Sequence, residues 1–145
     1  AKLFKRVLEP KLYSTVDLKE VSSLSELCAV GVDTDEYLTD AYKYWVEEGY
    51  TKSKNAKIYY SESKGNAGWA FVREAEGDVH LSRFTVEFKG DGLGGKMFNS
   101  LKKKYKRITL WSNPEAIKFY ERLGVKFSDM TNKVDGSIYT YGYYE

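Results

Sequence analysis

Apolar and polar residues change their spacing several times along this chain, and each change marks an element. Leu3 to Leu8 is a short apolar run stopped by Pro10, which predicts a first strand. Asp17 to Val30 reads as a helix, with Leu18, Val21, Leu24 or Ser25, and Cys28 on one side. A second helix follows, capped by Asp33 with Glu36 three residues on, as in a capping box. Its stripe is Tyr37, Leu38, Ala41, Tyr42 and Trp45, and Gly49 ends it. The spacing then shortens to two. Lys57 to Ser63, Gly68 to Arg73 and Val79 to Phe88 predict three antiparallel strands, joined at Lys64-Gly65-Asn66 and Glu76-Gly77-Asp78. Within the third, Val79 and Leu81 are odd, whereas Phe84, Val86 and Phe88 are even. That one-residue slip near Ser82-Arg83 predicts a β-bulge.

The second half returns to helical spacing. Leu93, Met97, Leu101 and Tyr105 fall four apart and predict a helix directly after a glycine-rich loop. Arg107 to Trp111 is a short strand. Asn113-Pro114-Glu115 then opens a last helix, with Asn as N-cap, Pro at the first position and an acid in the first turn. Ala116, Phe119, Tyr120 and Leu123 form its apolar face, and Gly124 ends it. Strands near Val125 to Asp129 and Ser137 to Tyr144 complete the chain. No repeat or linker interrupts residues 1–145, which predicts a single domain of mixed α/β (α+β) architecture.

Composition removes whole classes of function. Hydrophobic residues make up 42% of 145, enough for a globular core. A net charge of +2 gives no bulk reason to expect a nucleic-acid partner. One cysteine, Cys28, excludes an intrachain disulfide, and with a single histidine, His80, no donor set for structural zinc exists. No apolar stretch approaches the roughly 18 residues of a membrane span. These features predict a soluble cytoplasmic domain without a metal.

The chemistry concentrates in Lys89-Gly90-Asp91-Gly92-Leu93-Gly94-Gly95-Lys96. Glycines between a strand and a helix let backbone N–H groups converge on an anion at the helix N-terminus. Three phosphate-binding loops compete. Gly90, Gly95 and Lys96 fit a Walker A spacing, but Met97 stands where a magnesium-binding hydroxyl is needed. Gly90, Gly92 and Gly95 fit a dinucleotide-binding spacing, but the next strand ends in Trp111-Ser112 rather than an acid. Too little chain follows for the remaining βα units of that fold.

The third reading spans the chain. Lys89-Gly90-Asp91-Gly92-Leu93-Gly94 resembles the [Gln/Arg]-x-x-Gly-x-[Gly/Ala] acetyl-CoA loop of the GNAT N-acetyltransferase superfamily. Asn113 to Phe127, with Ala116, Phe119-Tyr120 and Gly124, resembles that superfamily's second signature. The element order β-α-α-β-β-β-α-β-α-β-β, a central mixed sheet flanked by helices, is also that of the acyl-CoA N-acyltransferase fold.

The resemblance implies acetyl-CoA as cosubstrate and an amine acceptor: a small molecule, a protein amine or an aminoacyl-tRNA. It implies that the CoA pyrophosphate rests on backbone donors of Gly90, Asp91, Gly92, Leu93, Gly94 and Gly95, with Lys89 and Lys96 beside them. The pantetheine arm would run along Phe84, Thr85 and Val86. Asn113 matches the asparagine that contacts pantetheine, although N-capping alone explains it. Tyr120 matches the tyrosine that protonates the departing thiolate, although core packing is its alternative. Lys89 departs from the usual Gln or Arg, the proline often found before the loop is missing, and Val125 follows Gly124 where Phe is frequent.

The general base is not marked by any motif. Glu87, at the end of the central strand, is the first candidate, with Glu62, Glu74 and His80 behind it. Tyr37, Tyr42, Trp45, Tyr139 and Tyr141 are candidate acceptor-site aromatics, with core or rim packing as the simpler role. The run Lys102-Lys103-Lys104-Tyr105-Lys106-Arg107 reads as a solvated helix face near the CoA 3′-phosphate, or as an RNA contact. Tyr139, Tyr141 and Tyr143 give the final strand either a homodimer edge or an ordinary one. A catalytically weak relative that binds acyl-CoA or a protein partner as a regulator is the competing reading.

Overall fold

In the computed structural model, which describes residues 14–145, the elements follow one another as strand, two helices, three strands, helix, strand, helix and two strands. They are β1 (Lys19–Val21), α1 (Leu24–Ala29), α2 (Glu36–Glu47), β2 (Ala56–Ser63), β3 (Asn66–Ala75), β4 (Asp78–Val86), α3 (Leu93–Lys104), β5 (Arg107–Ser112), α4 (Ile117–Arg122), β6 (Lys126–Val134) and β7 (Ser137–Tyr144). The strand expected at Leu3 to Leu8 lies outside the described residues.

Two expectations near the start need correction. Asp17 to Val30 is not one helix. Lys19–Val21 pairs antiparallel with β2, setting Lys19 opposite Tyr60, and helix begins only at Leu24. Ser22 and Ser23 explain the break, because hydroxyls offer backbone groups a non-helical partner. Ser23 accepts the Glu26 N–H at 3.2 Å and so becomes the N-cap of α1. The second correction concerns α2. Its cap is Asp35, whose Oδ1 accepts the Leu38 N–H at 2.9 Å, so Asp33 is free to serve elsewhere.

The seven strands form one sheet in the order β1-β2-β3-β4-β5-β7-β6. The β2–β3 and β3–β4 turns, Lys64-Gly65 and Glu76-Gly77, both place two consecutive residues at positive φ. That is the primed geometry whose twist matches a two-residue hairpin. All neighbours are antiparallel except β4 and β5, which are parallel because α3 crosses over between them.

Helices cover both faces. On one, Leu38, Ala41 and Trp45 of α2 pack on Ile58, Trp69 and Phe71. On the other, Phe98 and Leu101 of α3, and Tyr105 just after it, pack with Tyr120 and Leu123 on Val72, Leu81 and Leu110. The α3 face demands close approach at Gly68, where a Cβ would lie 2.5 Å from Met97 Sδ and 2.9 Å from Val86 Cγ1. Among the described residues no helix is long and apolar enough to cross a membrane.

Candidate active site

The predicted slip in β4 is real and sits at Ser82. Val72 faces Leu81, while Phe71 faces Arg83, so Ser82 has no counterpart in β3. Its effect is to keep Leu81 and Phe84 both on the α3 side, and to turn Arg83 and Thr85 toward α2, opposite Phe71 and Trp69. Pairing between β4 and β5 stops at the same point. The parallel ladder runs from Asp78–Arg107 to Leu81–Leu110 and no further. Beyond it, Phe84, Thr85 and Val86 still pair with Ala70, Trp69 and Gly68, but their other edge has no strand partner among the described residues. An open strand edge between two diverging strands can accept an extended, amide-bearing ligand as if it were a strand.

Tyr120 of α4 is 9% exposed. Its ring packs against Phe98 at 5.7 Å and Phe119 at 5.1 Å, and Phe119 in turn faces Phe84 at 6.4 Å. Its hydroxyl has no hydrogen-bond partner among the described residues. Burial, reinforced by the nearby Tyr37 hydroxyl, holds its pKa above the usual phenol value. Tyr120 therefore carries its phenolic proton at neutral pH.

At the mouth, β4 gives way to the glycine loop. Gly90 and Gly92 adopt φ +97 and +89, which lets the chain turn sharply into α3. Gly92 is the N-cap of α3, and the first intrahelical bond runs from Lys96 N–H to the Gly92 carbonyl at 3.1 Å. The amides of Gly94 and Gly95 thus lie in the first turn without intrahelical acceptors, the arrangement that receives phosphate. Asp91 Oδ1 accepts the Leu93 N–H at 3.0 Å, and its carboxyl is held below the ordinary value by that bond, then by Asn66, with Lys96 adding a smaller effect. Lys89, Gly90 and Asp91 are exposed.

Asn113 does cap the helical turn that leads into α4, accepting the Ala116 N–H at 2.9 Å. Its side-chain amide remains available, so capping and ligand contact are compatible.

The four carboxylate and imidazole candidates separate. Glu87 and Glu62 flank the start of β3: Glu87 N–H donates to the Ala67 carbonyl at 2.8 Å, and Glu62 faces Ala67 across the ladder. Glu62 accepts the Tyr60 hydroxyl at 2.7 Å, and burial together with Glu62 pushes the Tyr60 pKa up to about 12. Glu87 lines a cavity of about 190 Å³ with Asp33, Asp35, Trp69 and Thr85. Glu74 lies at the opposite end of β3, bonded by Tyr105 and paired with Lys57 at 3.3 Å. His80 lies in the paired half of β4, its Nδ1 2.8 Å from Thr109 Oγ1, and burial followed by Arg73 lowers its pKa to about 4. Neither Glu74 nor His80 reaches the slot.

The aromatic candidates divide too. Trp45 is core, 2% exposed and stacked on Tyr50 and Phe71. Tyr42 packs partly buried beside it. Tyr37 instead reaches across Trp69 at 5.5 Å toward Arg83 and Tyr139 on the α2 face. Tyr141 stacks on Trp111 at 5.3 Å. The basic run is less solvated than its charge suggests: Lys102 Nζ lies 4.6 Å from the Tyr144 ring centroid, and Arg107 lies 5.7 Å from that of Tyr143.

One residue was invisible to sequence reasoning. Asn66 looked like part of a turn, yet it is 2% exposed and bonds both Phe88 and Asp91. Asparagine after Lys-Gly carries no signal beyond the turn itself. Among the described residues no group of three or more His, Cys, Asp or Glu is arranged to hold a metal ion.

Known proteins share this fold. The family described as "Acetyltransferase (GNAT) domain" matches residues 24–141. No curated protein matches the sequence. Among solved structures, an acyl-CoA N-acyltransferase from Pseudomonas aeruginosa superposes with a TM-score of 0.62 at 15% identity, covering 89% of this chain and 100% of that one. Escherichia coli ElaA gives 0.62 at 15% identity, covering 90% and 100%. The PaiA N-acetyltransferase from Thermoplasma acidophilum, solved with coenzyme A, gives 0.52 at 15% identity, covering 88% and 98%. At such identities the structures speak for the fold, and the match over residues 24–141 speaks for descent: this chain belongs to the GNAT acetyltransferase family and has its acyl-CoA N-acyltransferase fold.

Proposed function

We propose that the protein is an N-acetyltransferase that moves the acetyl group of acetyl-CoA to a primary amine by direct attack in a ternary complex. One observation carries the reading: β4 and β5 part after Leu81 and Leu110, with the unpartnered hydroxyl of the largely buried Tyr120 on the α3 side and unpaired first-turn amides of α3 at the mouth. Acetyl-CoA supplies an activated acyl group as a thioester. Everything else is the work of this chain.

Gly94 and Gly95 amides take the pyrophosphate, with those of Gly90 to Gly92 and the charges of Lys89 and Lys96 around them, while the Leu93 N–H stays with Asp91. Phe84, Thr85 and Val86 offer their free edge to the amides of the pantetheine arm, and Asn113 adds a side-chain donor. A backbone N–H near Val86 polarises the thioester carbonyl. The amine arrives from the α2 face, past Tyr37, Arg83 and Tyr139.

Two protons must move. A lysine-like amine loses its proton at pH 7 at a cost of about 4.6 kcal/mol, which a base offsets. Glu87 takes that role, directly or through water in the cavity it shares with Asp33 and Asp35. Tyr120 donates its proton to the sulfur as the C–S bond breaks. Its raised pKa makes a free-standing transfer unfavourable, so donation is concerted with bond cleavage.

The reading is tested by mixing the protein with acetyl-CoA and a panel of primary amines and following free thiol release. Amine-dependent release that disappears in Tyr120→Phe supports it. Tight binding of acetyl-CoA with no turnover on any amine favours a regulator instead, and no binding removes acetyl-CoA from the account.

A further inference from the structure

Asn66 is buried, polar and fully committed, although it lies on no catalytic motif. It opens β3 just after the Lys64-Gly65 turn and is 2% exposed. A buried amide must find partners for both ends. Here Nδ2 donates to the Phe88 carbonyl at 2.7 Å and to Asp91 Oδ2 at 2.8 Å, while Oδ1 accepts the Phe88 N–H at 2.8 Å. The side chain therefore does what a further strand residue would do, gripping both backbone groups of Phe88 just past the end of the β3–β4 ladder.

The grip reaches the helix. Asp91 is held by Asn66 through one oxygen and holds the Leu93 N–H through the other. A continuous line of bonds thus runs from β3 through Asn66 and Asp91 to the first residue of α3. Between them lie Lys89 and Gly90, exposed, with Gly90 at a φ of +97 and open space around it. A glycine-rich segment left to itself samples many conformations and must lose them when a ligand binds. With both ends fixed, most of that ordering precedes the ligand.

We propose that Asn66 is the positioning residue of the anion cradle, holding Phe88 and Asp91 so that the Gly94 and Gly95 amides face a diphosphate before it arrives. This rests on the reading of the glycine loop as the acyl-CoA site. Asp91 has a double part. Its carboxylate fixes the turn, and it also places a negative charge beside an anion site, a charge that Asn66 and Lys96 partly offset.

Asn66→Asp tests the idea with almost no change of shape. The substituted carboxylate still accepts the Phe88 N–H, but it turns an oxygen toward the Phe88 carbonyl and the Asp91 carboxylate. Coenzyme A binding is measured by calorimetry on the native protein, on Asn66→Asp, on Asp91→Asn, and on the two combined, each with its melting temperature. In the double variant an amide at position 91 donates to the carboxylate at position 66. The expected result is a loss of about tenfold or more in affinity for Asn66→Asp, from the buried bonds it breaks, and a partial recovery in the double variant. Asn66→Ser, too short to span to Asp91, carries the same expected loss should Asn66→Asp fail to fold. A single variant at position 66 that binds like the native protein overturns the proposal. So does a double variant that gains no more over Asn66→Asp than Asp91→Asn alone gains over the native protein, since removing the charge at position 91 by itself favours the anion. If the native protein itself binds no coenzyme A, the acyl-CoA reading falls, and this inference with it.

Discussion

The Asp33 backbone N–H donates to the Glu87 carboxylate at 3.0 Å, joining the α1–α2 connection to the far end of β4 across 54 residues of sequence. The bond fixes one carboxylate oxygen of a residue that lines the cavity shared with Asp35 and Thr85. A carboxylate tethered this way keeps its direction without being desolvated. Glu87→Gln preserves an acceptor for the Asp33 N–H and removes only the proton affinity. The expected outcome is a fall in kcat of about a hundredfold, within the usual range for a lost general base, with melting temperature unchanged. An unchanged kcat would reduce Glu87 to a tether.

Tyr120→Phe separates catalysis from packing unusually well. The ring contacts to Phe98 and Phe119 survive, and the hydroxyl leaves no partner behind. Stability should change by less than about 0.5 kcal/mol. Turnover should fall at least about tenfold, with KM for acetyl-CoA little altered, because proton donation to sulfur matters only as the bond breaks. Steady-state kinetics beside a denaturant titration checks both halves.

Gly95→Glu should move stability and binding in opposite directions. Position 95 has no positive φ, and an added Cβ meets only Leu123 Cδ2 at 3.8 Å. A glutamate in the first turn favours the helix and removes a glycine from it, together worth about 1 kcal/mol. On the proposed reading, the same carboxylate stands where the pyrophosphate would rest. A higher melting temperature with coenzyme A affinity lost is the expected pair of results, and calorimetry with a thermal melt reads it. Retained affinity would place the phosphates elsewhere.

His80 gives the protein a pH dependence of stability unrelated to catalysis. Burial, then Arg73, lowers its pKa to about 4 in the folded state, against about 6.5 unfolded. The unfolded chain therefore binds the proton more readily between those values, and stability falls as pH drops through that window. The loss should amount to about 1–2 kcal/mol after allowing for solvent that reaches the half-buried ring. Urea midpoints at pH 7 and pH 4.5 measure it, and His80→Gln should remove that part of the difference.

Much of this was legible in the sequence, for a physical reason in each case. The α3 stripe of Leu93, Met97, Leu101 and Tyr105 is buried as its spacing required, because a helix on a sheet leaves no other face for it. The bulge at Ser82 was readable from phase alone, since a buried strand cannot hide a slip. What escaped depended on partners distant in sequence. Asp33 appeared to be a cap because Glu36 follows it, and only the fold reveals that Glu87 claims its N–H while Asp35 caps the helix. Strand β1 escaped because three residues show no period, and its pairing partner begins more than thirty residues later. Asn66 escaped for the same reason as Asp33: its three bonds all span 22 or more residues.

The surplus residue in β4 also bears on how such a site endures. Eight residues of β3, Gly68 to Ala75, run beside nine of β4, Asp78 to Val86. The longer edge must bow, and a bowed edge cannot stay parallel to β5 past Leu110. The cleft is thus created by counting, not by any particular side chain, and Ser82 contributes by existing more than by being serine. Substitutions, however many accumulate, leave a count untouched, whereas deletion of Ser82 would keep Phe84 opposite Ala70 on the α3 face, remove the bow and let the two strands zip together. A geometry stored as a number is not eroded by substitution, and the fold around it is matched by proteins only 15% identical to this chain.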